Sequence, residues 1–165
     1  MADQNSDGAE GQGAGTPRFA VLAQYTKDLS FENPNAPRAL SQPPQSPNVS
    51  LQVNVNARQL AANDYEVTLT LEGGAGEGAS ALFKFELDYA GMFRVENVPA
   101  EQVQPLMMIE GPRILFPFAR QIVADAVRGG GYPPLYVEPI DFQRLYLQRL
   151  AAANAAANPS APRPV

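Results

Sequence analysis

Hydrophobic and polar residues alternate with period two in four stretches of the chain. In the first, Phe19 to Tyr25, Phe19, Val21, Ala23 and Tyr25 share one side. In the second, Val49 to Asn56, Val49, Leu51, Val53 and Val55 alternate with Ser50, Gln52, Asn54 and Asn56. In the third, Tyr65 to Glu72, Tyr65, Val67, Leu69 and Leu71 oppose Glu66, Thr68, Thr70 and Glu72. In the fourth, Ala81 to Tyr89, Phe83, Phe85, Leu87 and Tyr89 face one way and Lys84, Glu86 and Asp88 the other. Successive side chains of a strand point to opposite faces, so the pattern predicts four strands with one covered and one wet face each. An antiparallel sheet covered on one side accommodates such strands.

Helical periodicity begins only after the last strand. From about 101 to 128, Leu115, Phe118, Ile122 and Ala126 form an apolar stripe, and Gly129-Gly130-Gly131 ends the segment. Pro112 and Pro117 predict a break or kink within it. A second helix is expected from about Asp141 to Ala152, with Asp141 as N-cap and Phe142, Leu145, Tyr146 and Arg149 on one face. Strands first and helices last predict an α+β fold: a four-stranded antiparallel sheet followed by two helices packed on one face.

The links differ in kind. Residues 73–80 are Gly-rich and read as a flexible hairpin connection. Residues 30–48 hold Pro34, Pro37, Pro43, Pro44 and Pro47, a long stiff crossover loop that lets the first two strands be non-neighbours. Residues 1–17 lack apolar surface and are expected to be disordered. The ordered domain is placed at 18–152, with a flexible Ala/Pro-rich tail at 153–165.

Composition removes whole classes of chemistry. The chain has no Cys and no His, which excludes disulfides, thiolate nucleophiles and Ser-His-Asp catalysis. No catalytic residue, metal site or cofactor is expected. Its net charge is -5, and Lys27 and Lys84 are its only lysines, so it lacks the basic stripe that nucleic acid requires. Basic partners suit it better. Hydrophobic residues make up 45% of its 165 residues and charged ones 18%, a balance that favours self-association. The N-terminus lacks a basic start and an apolar run, and no stretch approaches the ~18 apolar residues of a membrane span. A cytoplasmic protein without stable membrane insertion is expected. A hotdog-type thioesterase shares the sheet-and-helix plan, but its long helix usually precedes most of the sheet. An apolar-ligand carrier or an assembly scaffold is the remaining alternative.

Several motifs narrow these readings. They are Tyr25-Thr26-Lys27-Asp28-Leu29-Ser30-Phe31-Glu32-Asn33-Pro34-Asn35-Ala36-Pro37, Asp64-Tyr65-Glu66-Val67, Gly91-Met92-Phe93, Gly111-Pro112-Arg113-Ile114-Leu115-Phe116-Pro117-Phe118-Ala119-Arg120, Gly131-Tyr132-Pro133-Pro134-Leu135 and Pro139-Ile140-Asp141-Phe142. In this order, over roughly 19–150, the chain resembles the SecB family of protein-export chaperones. The resemblance implies a homotetramer, a dimer of dimers with long helices between two sheets. It implies an ATP-independent holdase that keeps precursor proteins unfolded and passes them to the SecA motor. By the motif match, Asp28, Glu32 and Glu86 would receive SecA's basic zinc-binding tail. Lys84, two positions from Glu86, stands where the family often has an apolar group. Phe31, Leu40, Tyr132, Phe142 and Tyr146 would lie near the client groove. Phe83, Phe85, Leu87 and Tyr89 would be core or subunit interface.

Overall fold

A computed structural model describes residues 15–158. Four strands, β1 (Arg18–Glu32), β2 (Val49–Gln59), β3 (Asp64–Ala75) and β4 (Phe83–Glu96), form one antiparallel sheet in the order β1-β4-β3-β2. Three helices accompany it: the short α1 (Arg38–Ser41), the long α2 (Ala100–Gly129) and α3 (Phe142–Ala157). The fold is α+β. Because β1 and β2 occupy opposite edges, the segment between them runs from one side of the sheet to the other.

All four strands are longer than alternation alone predicts, β4 running on to Glu96. Gly73, Gly74 and Ala75 belong to β3 and pair with Phe85, Lys84 and Phe83, so the expected flexible link shrinks to 76–82. Glycine weakens a strand in isolation, but β3 is hydrogen-bonded on both sides, and that context overrides propensity. β1 likewise continues through the Tyr25–Glu32 motif to its last acid.

The first strand also departs from a single face. The register shifts between Val21 and Ala23, leaving Leu22 unpaired, and again between Thr26 and Asp28, leaving Lys27 unpaired. One extra residue reverses which side chains face the core. Phe19 and Val21 therefore sit opposite Val95 and Phe93 on the inner, helix-covered face, while Ala23 and Tyr25 sit opposite Met92 and Ala90 on the outer face. The expected common face of Phe19, Val21, Ala23 and Tyr25 is thus split in two. The second bulge restores the phase: Leu29 and Phe31 point inward, Asp28, Ser30 and Glu32 outward.

The core forms between the inner face and α2. Val67, Leu69, Leu71, Phe83, Phe85, Leu87 and Tyr89 are all buried there. On α2 the buried stripe is Leu115, Ala119, Val123 and Val127, repeating every four residues. Of the expected stripe only Leu115 belongs to it. Phe118 is 51% exposed, although it stacks on Tyr89 at 6.4 Å, so α2 is apolar on a second side as well. Nor do the prolines end the helix: Pro105, Pro112 and Pro117 all lie inside it. A proline within a solvated helix costs about 3 kcal/mol. Here Pro112 is fully buried, and a side chain at neighbouring Gly111 would come within 2.9 Å of Val67 Cγ2. The close helix–sheet contact offsets the missing hydrogen bonds.

Asp141 caps α3 as expected, its carboxylate accepting from the Arg144 amide at 3.0 Å. The helix packs against α2 rather than directly on the sheet, with Phe142 edge-on to Phe116 at 6.0 Å. It reaches β2 through Arg149, whose guanidinium donates to the Val55 carbonyl at 2.8 Å and to the Asn54 side chain. α3 runs to Ala157, into the segment expected to be tail. The disorder expected of 1–14 and the flexibility expected of 159–165 concern residues outside those described.

Candidate functional site

The outer face of the sheet has an acidic end. Asp28 pairs in register with Asp88, Ser30 with Glu86 and Glu32 with Lys84 across β1 and β4. The three acids singled out from sequence therefore share one face on adjacent strands, with Glu86 diagonally between Asp28 and Glu32. Across β3, Glu72 lies opposite Glu86 and Thr70 opposite Asp88. Sequence alternation put Glu72 and Asp88 on a wet face but gave no sign that they join the other three. Thr70 Oγ1 donates to Asp88 Oδ1 at 2.5 Å. Among the described residues, none of these five carboxylates forms an ion pair. Like charges directly opposite in a sheet repel. Beside them lies a shallow depression of about 280 Å³, floored by Gly73 and Gly74 and rimmed by Glu32, Glu72, Glu86 and Lys84. Such a surface can attract a cationic segment. Among the described residues no group of three or more His, Cys, Asp or Glu side chains is placed to hold a metal ion.

The other end of the same face is charge-paired. Glu66 is 5% exposed and accepts hydrogen bonds from Arg58 Nε at 2.8 Å, Lys27 Nζ at 3.0 Å and the Tyr25 hydroxyl. Chiefly through Arg58, and against the effect of burial, its carboxyl is pulled down to about 2. Burial, reinforced by the bond to Glu66, pushes the Tyr25 phenol up to about 12. Nearby, Arg94 grips Asp64 with two nitrogens at 2.7 and 2.9 Å and holds its carboxyl below the usual range.

The apolar candidates divide between two places. Phe31 stacks on Phe83 at 5.8 Å, and Phe83 meets Tyr132 at 5.3 Å. The Tyr132 hydroxyl donates to Asn33 Oδ1 at 2.9 Å, and Asn33 Nδ2 donates to the Gly130 carbonyl at 2.8 Å. A side chain at Gly130 would come within 2.5 Å of Phe31 Cζ, so the glycine run after α2 makes room for the ring. Leu40, on α1, is 40% exposed and lies over Gly131. Asn35 ties the same loop to the Ala79 and Ala81 carbonyls at 3.0 and 2.7 Å. Phe31, Leu40 and Tyr132 are thus gathered at one end of the sheet. Asn33 and Asn35, the side chains that anchor them, stand within the Tyr25–Pro37 motif but were given no role from sequence. Phe142 and Tyr146 belong to α3 instead. Phe142 is only 1% exposed and packs in the core, so it presents no surface to a groove in this arrangement, whereas Tyr146 is half-buried.

No helix of the described residues is long and apolar enough to cross a membrane. A family model described as "Preprotein translocase subunit SecB" matches residues 12–153. The chain is 58% identical to the "Protein-export protein SecB" of Methylocella silvestris over 98% of both chains. It is also 58% identical to that of Beijerinckia indica, over 95% of this chain and 97% of the relative. Among solved structures, its fold is similar to a Mycobacterium tuberculosis SecB-like chaperone in complex with a ChAD peptide from the HigA1 antitoxin. That match has a TM-score of 0.60 at 15% identity and covers 74% of this chain and 91% of the other.

Proposed function

The chain belongs to the SecB family of preprotein translocase subunits, and from that premise we propose that it is an ATP-independent holdase. Like the protein-export proteins of that family it is a chaperone and not an enzyme. It keeps precursor proteins unfolded and export-competent in the cytoplasm and delivers them to the SecA translocation motor. The domain proposed to do this spans 18–152, and α3 carries its last helix on to Ala157.

The observation that carries the delivery reading is the unpaired acidic end, Asp28, Glu32 and Glu86 on one face of adjacent strands. Carboxylates aligned with no ion-pair partner among the described residues, and with Lys84 as the cation beside them, suit a basic tail of SecA, and long-range attraction would speed encounter. Client holding is supported by half-buried Phe31 and exposed Leu40, which Tyr132 backs from its buried place in the core, with Tyr146 on α3 as a further contact. Each apolar client side chain anchored there contributes about 1.5–3 kcal/mol before ordering costs, and several weak subsites on one flexible chain add avidity. The proposed assembly is a dimer of dimers. The second apolar side of α2, with Phe118 exposed, and exposed Val21, Leu22 and Leu29 on edge strand β1 favour it. Partner subunits would cover this surface.

Refolding of a reduced precursor tests the holdase directly. With a several-fold excess of this protein and no ATP, refolding is expected to slow markedly. Unchanged kinetics would overturn the proposal. Mass in solution tests the assembly: a species of four chains supports it and a stable monomer refutes it.

A further inference from the structure

Lys27 is one of two lysines in the chain and stands next to Asp28. It is the extra residue of the second β1 bulge, the one that turns Asp28, Ser30 and Glu32 to the outer face. Its ammonium reaches past β4 to Glu66 on β3. Tyr25 reaches the same carboxylate, over the register position that Ala90 occupies between β1 and β3, and Arg58 reaches it from β2. One nearly buried acid thus gathers side chains from both edge strands.

We infer that Glu66 is a positioning residue for the acidic docking surface: it keeps the Lys27 charge away from Asp28 and Glu32. This rests on the reading of the acidic end as the SecA handle. Without the Glu66 carboxylate, Lys27 would be free to turn to Asp28, its neighbour on the same outer face. One added ammonium there would cancel the charge of one of the carboxylates that the basic partner needs.

The full-length chain carries its own reference for the test, because Lys84 is the other lysine. Trace acylation with acetic anhydride, read by peptide mass spectrometry, compares the two. A lysine engaged on a carboxylate must break that hydrogen bond to react. Lys27 is expected to label several-fold more slowly than Lys84 in the wild type and to approach it in Glu66→Gln. Equal rates in the wild type overturn the inference. At low salt, Glu66→Gln is expected to bind SecA about threefold to tenfold more weakly, and Lys27→Met added to it should restore the affinity to within about twofold. Loss without rescue would mean only a structural role and would also overturn it. Lys27→Met alone, which leaves Glu66 on Arg58, should stay within about twofold of wild type. A large gain in that variant would mean that Lys27 already acts on the acidic end, and the inference fails even should Glu66→Gln not fold. Asp28→Lys separates the two levels. Normal SecA binding by Asp28→Lys sinks the docking reading and this inference with it. Weakened Asp28→Lys beside an unaffected Glu66→Gln sinks the inference alone.

Discussion

The two ends of the outer sheet face use charge in opposite ways. At one end Glu66 accepts from three side chains on two other strands, and Asp64 is gripped by Arg94. At the other end Glu72 lies opposite Glu86 and Asp28 opposite Asp88, with Lys84 as the cation set among them. Both ends share the same strands and the same pleat, but Glu66 is nearly buried whereas Asp28, Glu32, Glu72 and Glu86 are exposed. A face shaped for stability alone would place cations opposite those carboxylates, as it does around Glu66. The paired end therefore fastens the sheet, while the unpaired end leaves its carboxylates open, as the proposed docking of a basic partner requires.

The sharpest way to break this comparison is to delete one acid from each end. Glu66→Ala should lower unfolding stability by about 1–3 kcal/mol, because the Tyr25 hydroxyl and two cations lose a nearly buried acceptor. Glu72→Ala should change it by no more than about 0.5 kcal/mol, or raise it slightly by relieving repulsion with Glu86. Equal losses in chemical denaturation would erase the distinction.

Acidity probes the paired end next. Glu66 is held at about 2 in the folded chain against an ordinary value of 4.5. A depressed carboxyl stabilises the fold above its unfolded value and loses that contribution as pH falls through the folded one. Stability should therefore decline between about pH 4.5 and 2, and Glu66→Gln should flatten that part of the curve. Tyr25, raised from 10.0 to about 12, works in the other direction. Its neutral form is the one the fold favours, so stability should fall from about pH 10 to 12, less so in Tyr25→Phe. Denaturation midpoints across both windows would check the two signs.

The smallest effect is expected at Lys84. Replacing this exposed cation of the acidic end by Leu should tighten SecA binding about twofold to threefold at low salt, and the gain should vanish as salt rises. Weaker binding by Lys84→Leu in a titration would mean that Lys84 contributes to the docking surface instead of diluting it.

These ends were unequally visible in the amino-acid sequence. Alternation makes β2, β3 and β4 legible because the pattern of each strand is local, and it places Glu72, Glu86 and Asp88 on the wet side. β1 resists the same treatment. Its two bulges depend on pairing with β4, and Tyr25 finds its partner Glu66 a full 41 residues away. Asp28 and Glu32 could be marked only by motif, since their common face with Glu86 exists only once both bulges have formed. On α2, helical spacing identifies apolar positions but not which side the sheet covers, so Phe118 fell in the expected stripe and lies half outside it. Phe142 was equally ambiguous: spacing fixes its face of α3, but only Phe116 and the rest of the core decide that it is covered.

The central claim is that delivery and holding are separate properties of this chain, with the acidic end serving only the first. Asp28→Lys combined with Glu32→Lys, assayed at low salt for SecA affinity and in parallel for delay of precursor refolding, tests it most directly. SecA binding should weaken by about tenfold or more, some 1.4 kcal/mol, with the refolding delay unchanged. Normal SecA binding by this double variant, or a refolding delay lost together with SecA binding, would contradict the account.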